Sequence, residues 1–211
     1  MIKSTAAIPS AAVPSGASDA PDSQRTEFGR RLRELRRDRG WTLSQLAERS
    51  GLAISTISKA ERGVMALTYD RMLQLARGIG VDMAEFFSNE GEAFASGSFA
   101  IAPRGTFRRQ ETRNYVYEML FPEIRNKAMT PMMGSLKAHD ILDFEDFVRH
   151  PGQEFLLVLE GAVTVHAEGK PPVTLQQGDS VYFDSARGHL YASAGSSDAR
   201  ILVVCTEAEM R

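Results

Sequence analysis

Cysteine is nearly missing from this chain: Cys205 stands alone in 211 residues. One thiol excludes an internal disulfide framework and any cysteine-rich zinc module. Long apolar runs are missing too, and no stretch approaches the roughly 20 apolar residues of a membrane-spanning helix. There is no glycine-rich phosphate loop, and no serine or cysteine stands beside a base as a nucleophile would. Net charge is almost absent, since 25 Lys and Arg face 27 Asp and Glu. Taken whole, that balance argues against a nucleic-acid binder, but a whole-chain sum hides asymmetry. What is present is ordinary for a globular protein, with 43% hydrophobic and 25% charged residues. Wholesale disorder and a collagen-like fibre are thereby excluded, and the length fits one or two domains.

The charge is unevenly placed. Of the first 24 residues, 14 are Ala, Ser or Pro, and only Lys3, Asp19 and Asp22 are charged. Residues 1–24 read as a disordered tail, and without an apolar stretch after Lys3 they do not read as a secretory signal. Residues 25–88 hold 12 basic and 8 acidic residues, and six arginines fall between Arg30 and Arg39. Residues 89–211 reverse the sign, with 12 basic against 17 acidic. A basic unit is therefore joined to an acidic one.

The basic unit reads as five short helices. Phe28, Leu32 and Leu35 recur at i, i+4 and i+7, one apolar stripe of a helix with arginines on its other face. Gly40 stops it. Thr42 caps a second helix lined by Leu43, Leu46 and Ala47, and Ser50-Gly51 makes a turn. A third helix runs from Ile54 to Lys59, ending at Arg62-Gly63. A fourth carries Met72, Leu73, Leu75, Ala76 and Ile79, and a last one opens at Asp82 with Phe86 and Phe87. Two short helices joined by a Gly-containing turn form a helix-turn-helix. The third helix turns Ile57 inward and presents Ser55, Thr56, Ser58 and Lys59 outward. Short hydrogen-bonding side chains let a helix approach base edges in the major groove. Arg36 and Arg62 are expected on phosphates, giving affinity without sequence information.

The run GRRLRELRRDRGWTLSQLAERSGLAISTISKAERG, continuing to LTYDRMLQLARGIGVDMAEFF, resembles the XRE, or lambda-repressor-like, helix-turn-helix domain over residues 25–88. That resemblance implies a five-helix domain binding double-stranded operator DNA as a homodimer, with Ile54, Ser55 and Lys59 at base-reading positions. Ala53 departs from the family, which often caps this helix with Ser or Thr.

Residues 89–98 read as a polar linker. Beyond them, β-branched and aromatic runs alternate with turns: Tyr115–Leu120, Met132–Ala138, Phe155–Leu159, Ala162–Ala167, Val173–Leu175, Val181–Phe183 and Ile201–Thr206. Short strands at close spacing indicate a sandwich or barrel over residues 99–211. His150 and Glu154 flank the tight turn His150-Pro151-Gly152-Gln153-Glu154, so a hairpin brings imidazole and carboxylate together. Tyr182, Phe183 and Tyr191 are candidate walls of a dry ligand pocket. Cys205 ends the apolar run ILVVC and reads as a small core residue.

This half resembles a cupin, an eight-stranded jelly roll. Its first motif falls on Val148, His150, Glu154 and Gly161, its second on Gly178 and His189. Val148 replaces the first ligand histidine, Asp184 a proline and Ala186 a glycine. The resemblance implies a site for one divalent metal (Zn, Fe or Ni) on His150, Glu154 and His189; the same residues joined by hydrogen bonds without metal is the other reading. Two histidines and a carboxylate with open positions suit non-heme iron and open zinc sites alike. The two-domain plan resembles bacterial XRE–cupin regulators, which implies a cytoplasmic, dimeric regulator without membrane contact, its barrel sensing a small-molecule effector. The alternative is a mononuclear non-heme iron cupin enzyme similar to an epoxidase or dioxygenase.

Overall fold

The computed structural model describes residues 21–87 and 93–206, so residues 1–20 of the expected tail and residues 89–92 of the expected linker lie outside it. Four α-helices come first: α1 (Pro21–Asp38), α2 (Leu43–Ser50), α3 (Ile54–Glu61) and α4 (Tyr69–Ile79). The expected fifth helix is a single 3-10 turn, Met83–Phe86, capped by Asp82. The first helix starts earlier than the composition suggests, so residues 21–24 belong to α1 rather than to a tail.

Phe28, Leu32 and Leu35 form the buried stripe of α1. That stripe lies on α3, and α2 lies on α4. Gly29 sets the α1–α3 distance: a Cβ there would come within 2.3 Å of the Ala60 carbonyl oxygen. Thr42 and Gln45 make a reciprocal capping box at the start of α2, each satisfying one of the orphan amides of a helix N-terminus. Gly51 then takes the left-handed conformation that turns the chain into α3. Ala53 supplies no side-chain cap to α3.

Nine strands follow: β1 (Phe107–Glu111), β2 (Tyr115–Leu120), β3 (Met129–Leu136), β4 (Gln153–Glu160), β5 (Ala162–Ala167), β6 (Val173–Gln176), β7 (Ser180–Asp184), β8 (His189–Ser193) and β9 (Ala199–Thr206). They form a six-stranded sheet in the order β1-β2-β3-β9-β4-β7 and a three-stranded sheet β6-β5-β8. All named pairings are antiparallel. β1 was not evident from sequence, because FRRQE has the charge of a surface segment rather than an alternating apolar pattern. It is an edge strand, where charged side chains are tolerated. Residues 93–98, read as linker, begin against the barrel, with the Phe94 amide donating to the Arg125 carbonyl at 2.8 Å.

The two units touch. Arg108 on β1 reaches Glu27 on α1 at 2.7 Å, and its guanidinium lies over Phe87. The Asn126 amide donates to Asp82 at 2.7 Å. Tyr69, the first residue of α4, sets its ring edge-on to His150 of the barrel, 5.5 Å between centroids.

Candidate functional site

In α3, Ile57, Ala60 and Glu61 are buried. Ile54, Ser55, Lys59 and Arg62 are exposed, and Thr56 and Ser58 are half-buried. Ile54 is 48% exposed despite its apolar side chain. A helix that shows one apolar and several short polar side chains outward from its first turn has the surface a major groove can accept. Arg62 folds back so that its Nε donates to the Ser58 carbonyl.

Arg36 does not lie on this surface, which corrects the expectation of a phosphate contact. It is 8% exposed. Its Nε and Nη2 donate to the two Glu61 carboxylate oxygens at 2.5 and 2.8 Å, and Nη1 donates to the Trp41 carbonyl at 2.6 Å. The pair ties α1 to α3. Helical arithmetic carried the signal: Arg36 is four residues beyond Leu32, hence on the buried stripe rather than opposite it.

In the barrel, alternation along β4 turns Glu154, Leu156 and Val158 inward. β9 turns Ala199, Ile201, Val203 and Cys205 inward. The β4–β9 register sets Glu154 opposite Cys205, and Val148 bridges to His189. The tight turn before β4 depends on Gly152, at φ +113°, where a Cβ would meet the Thr206 carbonyl oxygen at 2.0 Å. Asp184 accepts from the Ala186 amide at 2.9 Å. That Asx-type turn does the work of the proline and glycine missing there.

These elements converge on Glu154. Its Oε2 lies 3.0 Å from His150 Nε2, 3.4 Å from His189 Nε2 and 3.5 Å from Cys205 Sγ, and its other oxygen accepts from the Tyr191 hydroxyl. All five residues are buried. Burial alone would raise the Glu154 pKa, but His150 and His189, where they carry the proton that faces it, outweigh burial and lower the carboxyl to about 2. Burial and the neighbouring carboxylate push the Tyr191 hydroxyl well above its ordinary range.

Tautomer logic makes the cluster informative. His189 Nδ1 lies 2.9 Å from the Arg187 carbonyl oxygen. A carbonyl only accepts, so Nδ1 carries the hydrogen, and in the neutral ring Nε2 presents a lone pair. That lone pair faces a carboxylate oxygen, and two lone pairs held together in a buried site call for a cation between them, a proton or a metal. Fixing a ligand histidine through its second nitrogen is the usual arrangement around bound metals. The donor set therefore fits a divalent ion. His150 has no such anchor: its Nδ1 is buried without a hydrogen-bond partner among the described residues, and the Tyr69 ring edge flanks it.

A cavity of about 30 Å³ opens beside this cluster, its wall including Tyr69, Tyr115, Tyr117, Val148 and Cys205. That is room for one or two waters. Of the three residues expected to wall a pocket, Tyr191 lines it. Phe183 meets the His189 ring in a T-shaped contact, 4.9 Å between centroids. Tyr182 points away, 64% exposed, with its hydroxyl donating to Gln153. Adjacent strand residues face opposite sides, so Phe183 inward requires Tyr182 outward.

Residues 32–86 match the family model for the helix-turn-helix, and residues 144–205 match the cupin domain. The chain thus carries a helix-turn-helix domain followed by a cupin domain. It is 26% identical over 167 residues to the HTH-type transcriptional regulator SutR of Escherichia coli K12, covering 78% of this chain and 85% of that one. Similarity to the HTH-type transcriptional regulator PuuR of the same organism is 23% over 186 residues, 82% and 91% of the two chains. The crystal structure of an HTH_3 family transcriptional regulator from Vibrio cholerae superposes with a TM-score of 0.60 at 20% identity, over 90% of this chain and 100% of that one. That structural likeness extends through both domains and concerns the fold. No described helix is long and apolar enough to cross a membrane.

Tyr69 and Cys205 are the residues that sequence reading did not bring to the site. Tyr69 belongs to the helical unit, and nothing local points it at the barrel. For Cys205 the alternating run ILVVC gives the inward phase, but only the β4–β9 register sets it against Glu154.

Proposed function

We propose that this chain is a DNA-binding transcription regulator that works as a cytoplasmic homodimer. Its cupin barrel takes a small effector, with a divalent metal on His150, Glu154 and His189. The observation that carries the DNA reading is the outer face of α3, small and polar around Ser55 and Lys59 while Ile57 and Ala60 anchor it inside. A homodimer suits this reading, since two recognition helices about 34 Å apart read successive major grooves.

Sensing rests on Tyr69. A cavity of about 30 Å³ admits little more than water, so any larger ligand must displace part of its wall. Tyr69 is in that wall and is also the first residue of α4, which lies against α2 of the helix-turn-helix. An effector that binds better when Tyr69 is displaced biases the helical unit by the difference in its two affinities, and by nothing else.

DNA binding upstream of the chain's own gene, measured across a salt series, tests the reading. Expected is sequence-selective binding whose preference changes in Ser55→Ala and Lys59→Ala, each good base contact being worth about 1–3 kcal/mol. Arg62→Ala should weaken all sequences alike and flatten the salt slope. Weak, unselective binding by a protein carrying stoichiometric iron would instead favour the second reading, a mononuclear iron oxygenase, for which the buried histidine–carboxylate set is the supporting observation.

A further inference from the structure

Val148 stands where the cupin pattern has its first ligand histidine, and its side chain lines the cavity without offering a donor. Across the cavity, β9 brings a donor that the pattern lacks. Cys205 is 1% exposed, and its sulfur, one nitrogen of His150 and one oxygen of Glu154 all lie within 4.8 Å of one another. We propose that Cys205 is a metal ligand that takes the place of the missing histidine, completing a His150–Glu154–His189–Cys205 site for a thiophilic divalent ion, zinc foremost. The proposal rests on the reading above that this cluster holds a metal, and adds a ligand and a selectivity to it.

Three arguments carry it. First, the spacing brings three of the donors to a common centre. One nitrogen of His150, one oxygen of Glu154 and the Cys205 sulfur lie within 4.8 Å of one another, while His189 stands outside that group and must close in on the ion. Donors bound to one zinc ion at about 2.0–2.3 Å in a tetrahedron stand roughly 3.3–3.6 Å from each other. The carboxylate oxygen lies 3.4 Å from His189 Nε2 and 3.5 Å from Cys205 Sγ, with His150 Nε2 closer at 3.0 Å. Second, the cysteine's position has an inert alternative that this chain does not use: on the same inward face of β9 stand Ala199, Ile201 and Val203, whereas the one residue opposite Glu154 carries sulfur. Third, the charge is right. A carboxylate and a thiolate together neutralise a divalent ion, which a buried site requires.

The consequence is chemical. Thiolate favours zinc over magnesium, calcium and manganese. Two nitrogens, one oxygen and one sulfur also close a four-coordinate shell, the pattern of structural zinc sites. Such a site holds β4, β8 and β9 together next to Tyr69 and leaves no open position for a substrate.

Cobalt(II) titration of the metal-free, full-length protein tests this, followed by absorption spectroscopy. Expected is one equivalent bound with tetrahedral d–d bands and a near-ultraviolet thiolate-to-cobalt charge-transfer band. In Cys205→Ser that band disappears and zinc affinity falls by roughly 10–100-fold, the range seen when even the outer supports of a metal ligand are removed. X-ray absorption at the zinc edge of the unmutated protein gives the same answer without a variant, through a Zn–S distance near about 2.3 Å. Stoichiometric cobalt without the charge-transfer band, or zinc with nitrogen and oxygen neighbours alone, overturns the cysteine and leaves the three-ligand reading standing. No metal bound at all overturns both.

Discussion

Among the described residues two charged clusters are buried, one in each unit, and they differ in how completely they are satisfied. Arg36 and Glu61 close on each other: both carboxylate oxygens are engaged by the guanidinium, and its third nitrogen goes to a backbone carbonyl. Nothing in that arrangement asks for a ligand. In the barrel, Glu154 faces a histidine whose lone pair points at it, another histidine with a bare buried nitrogen, and a thiol. Equal burial thus means different things. A closed pair holds a fold together, whereas the open cluster is the one that, on the function proposed above, takes an ion.

The comparison breaks most directly at the two glutamates. Glu61→Ala strands a buried guanidinium and should cost about 3–5 kcal/mol, the usual penalty for removing one partner of a buried pair. DNA binding should vanish with the helical transition in calorimetry. Glu154→Gln keeps the shape of its side chain and removes the charge that an ion needs. Its expected signature is loss of bound metal, with a fall in the melting temperature of the metal-free protein smaller than the one Glu61→Ala causes. Should Glu154→Gln destabilise the metal-free barrel as heavily as Glu61→Ala does the helices, the two clusters are alike and the distinction fails.

Much of the helical unit was legible because 3.6-residue periodicity and caps are local. The stripe of α1, the Thr42 cap and the stop at Gly51 could all be placed from neighbours in sequence. Arg36 is equally legible by its position one turn beyond Leu32, although its charge points the other way. The barrel was legible as a set of strands and hairpins, with His150, Glu154 and His189 drawn from motif spacing. Which strands pair, and in which register, depends on contacts far apart in the chain. The Glu154–Cys205 pairing and the reach of Tyr69 across the domain boundary follow from that, so neither could be read from local pattern.

Tyr69 offers a smaller, sharper test, because it joins the two regions being compared. Tyr69→Leu keeps apolar bulk at the start of α4 but removes the ring edge beside His150. Operator affinity of the metal-free protein should stay within about twofold. The change in that affinity on adding zinc should shrink, from a coupling in the usual allosteric range of about 1–3 kcal/mol towards nothing. An undiminished response to zinc in the leucine variant would mean that coupling runs through another contact, with Asn126–Asp82 the next to test.

The smallest effect is expected where a histidine–carboxylate pair is neither closed nor buried. His139 Nε2 lies 3.1 Å from Asp198, and the hydrogen bond to that carboxylate, helped by the Gly195 carbonyl, raises the imidazole pKa. A pKa raised on folding contributes stability that is full below the unfolded value, about 6.5, and is lost as pH rises through the folded one. Asp198→Asn should therefore lower the His139 titration midpoint in NMR, and any loss of melting temperature should appear at pH 5 and vanish by pH 8. Solvent screens this pair, so the thermal effect should be slight even where it is largest. A histidine–carboxylate contact of similar length thus has little weight at the surface, where solvent screens it, and more in the barrel, where both His150 and Glu154 are buried.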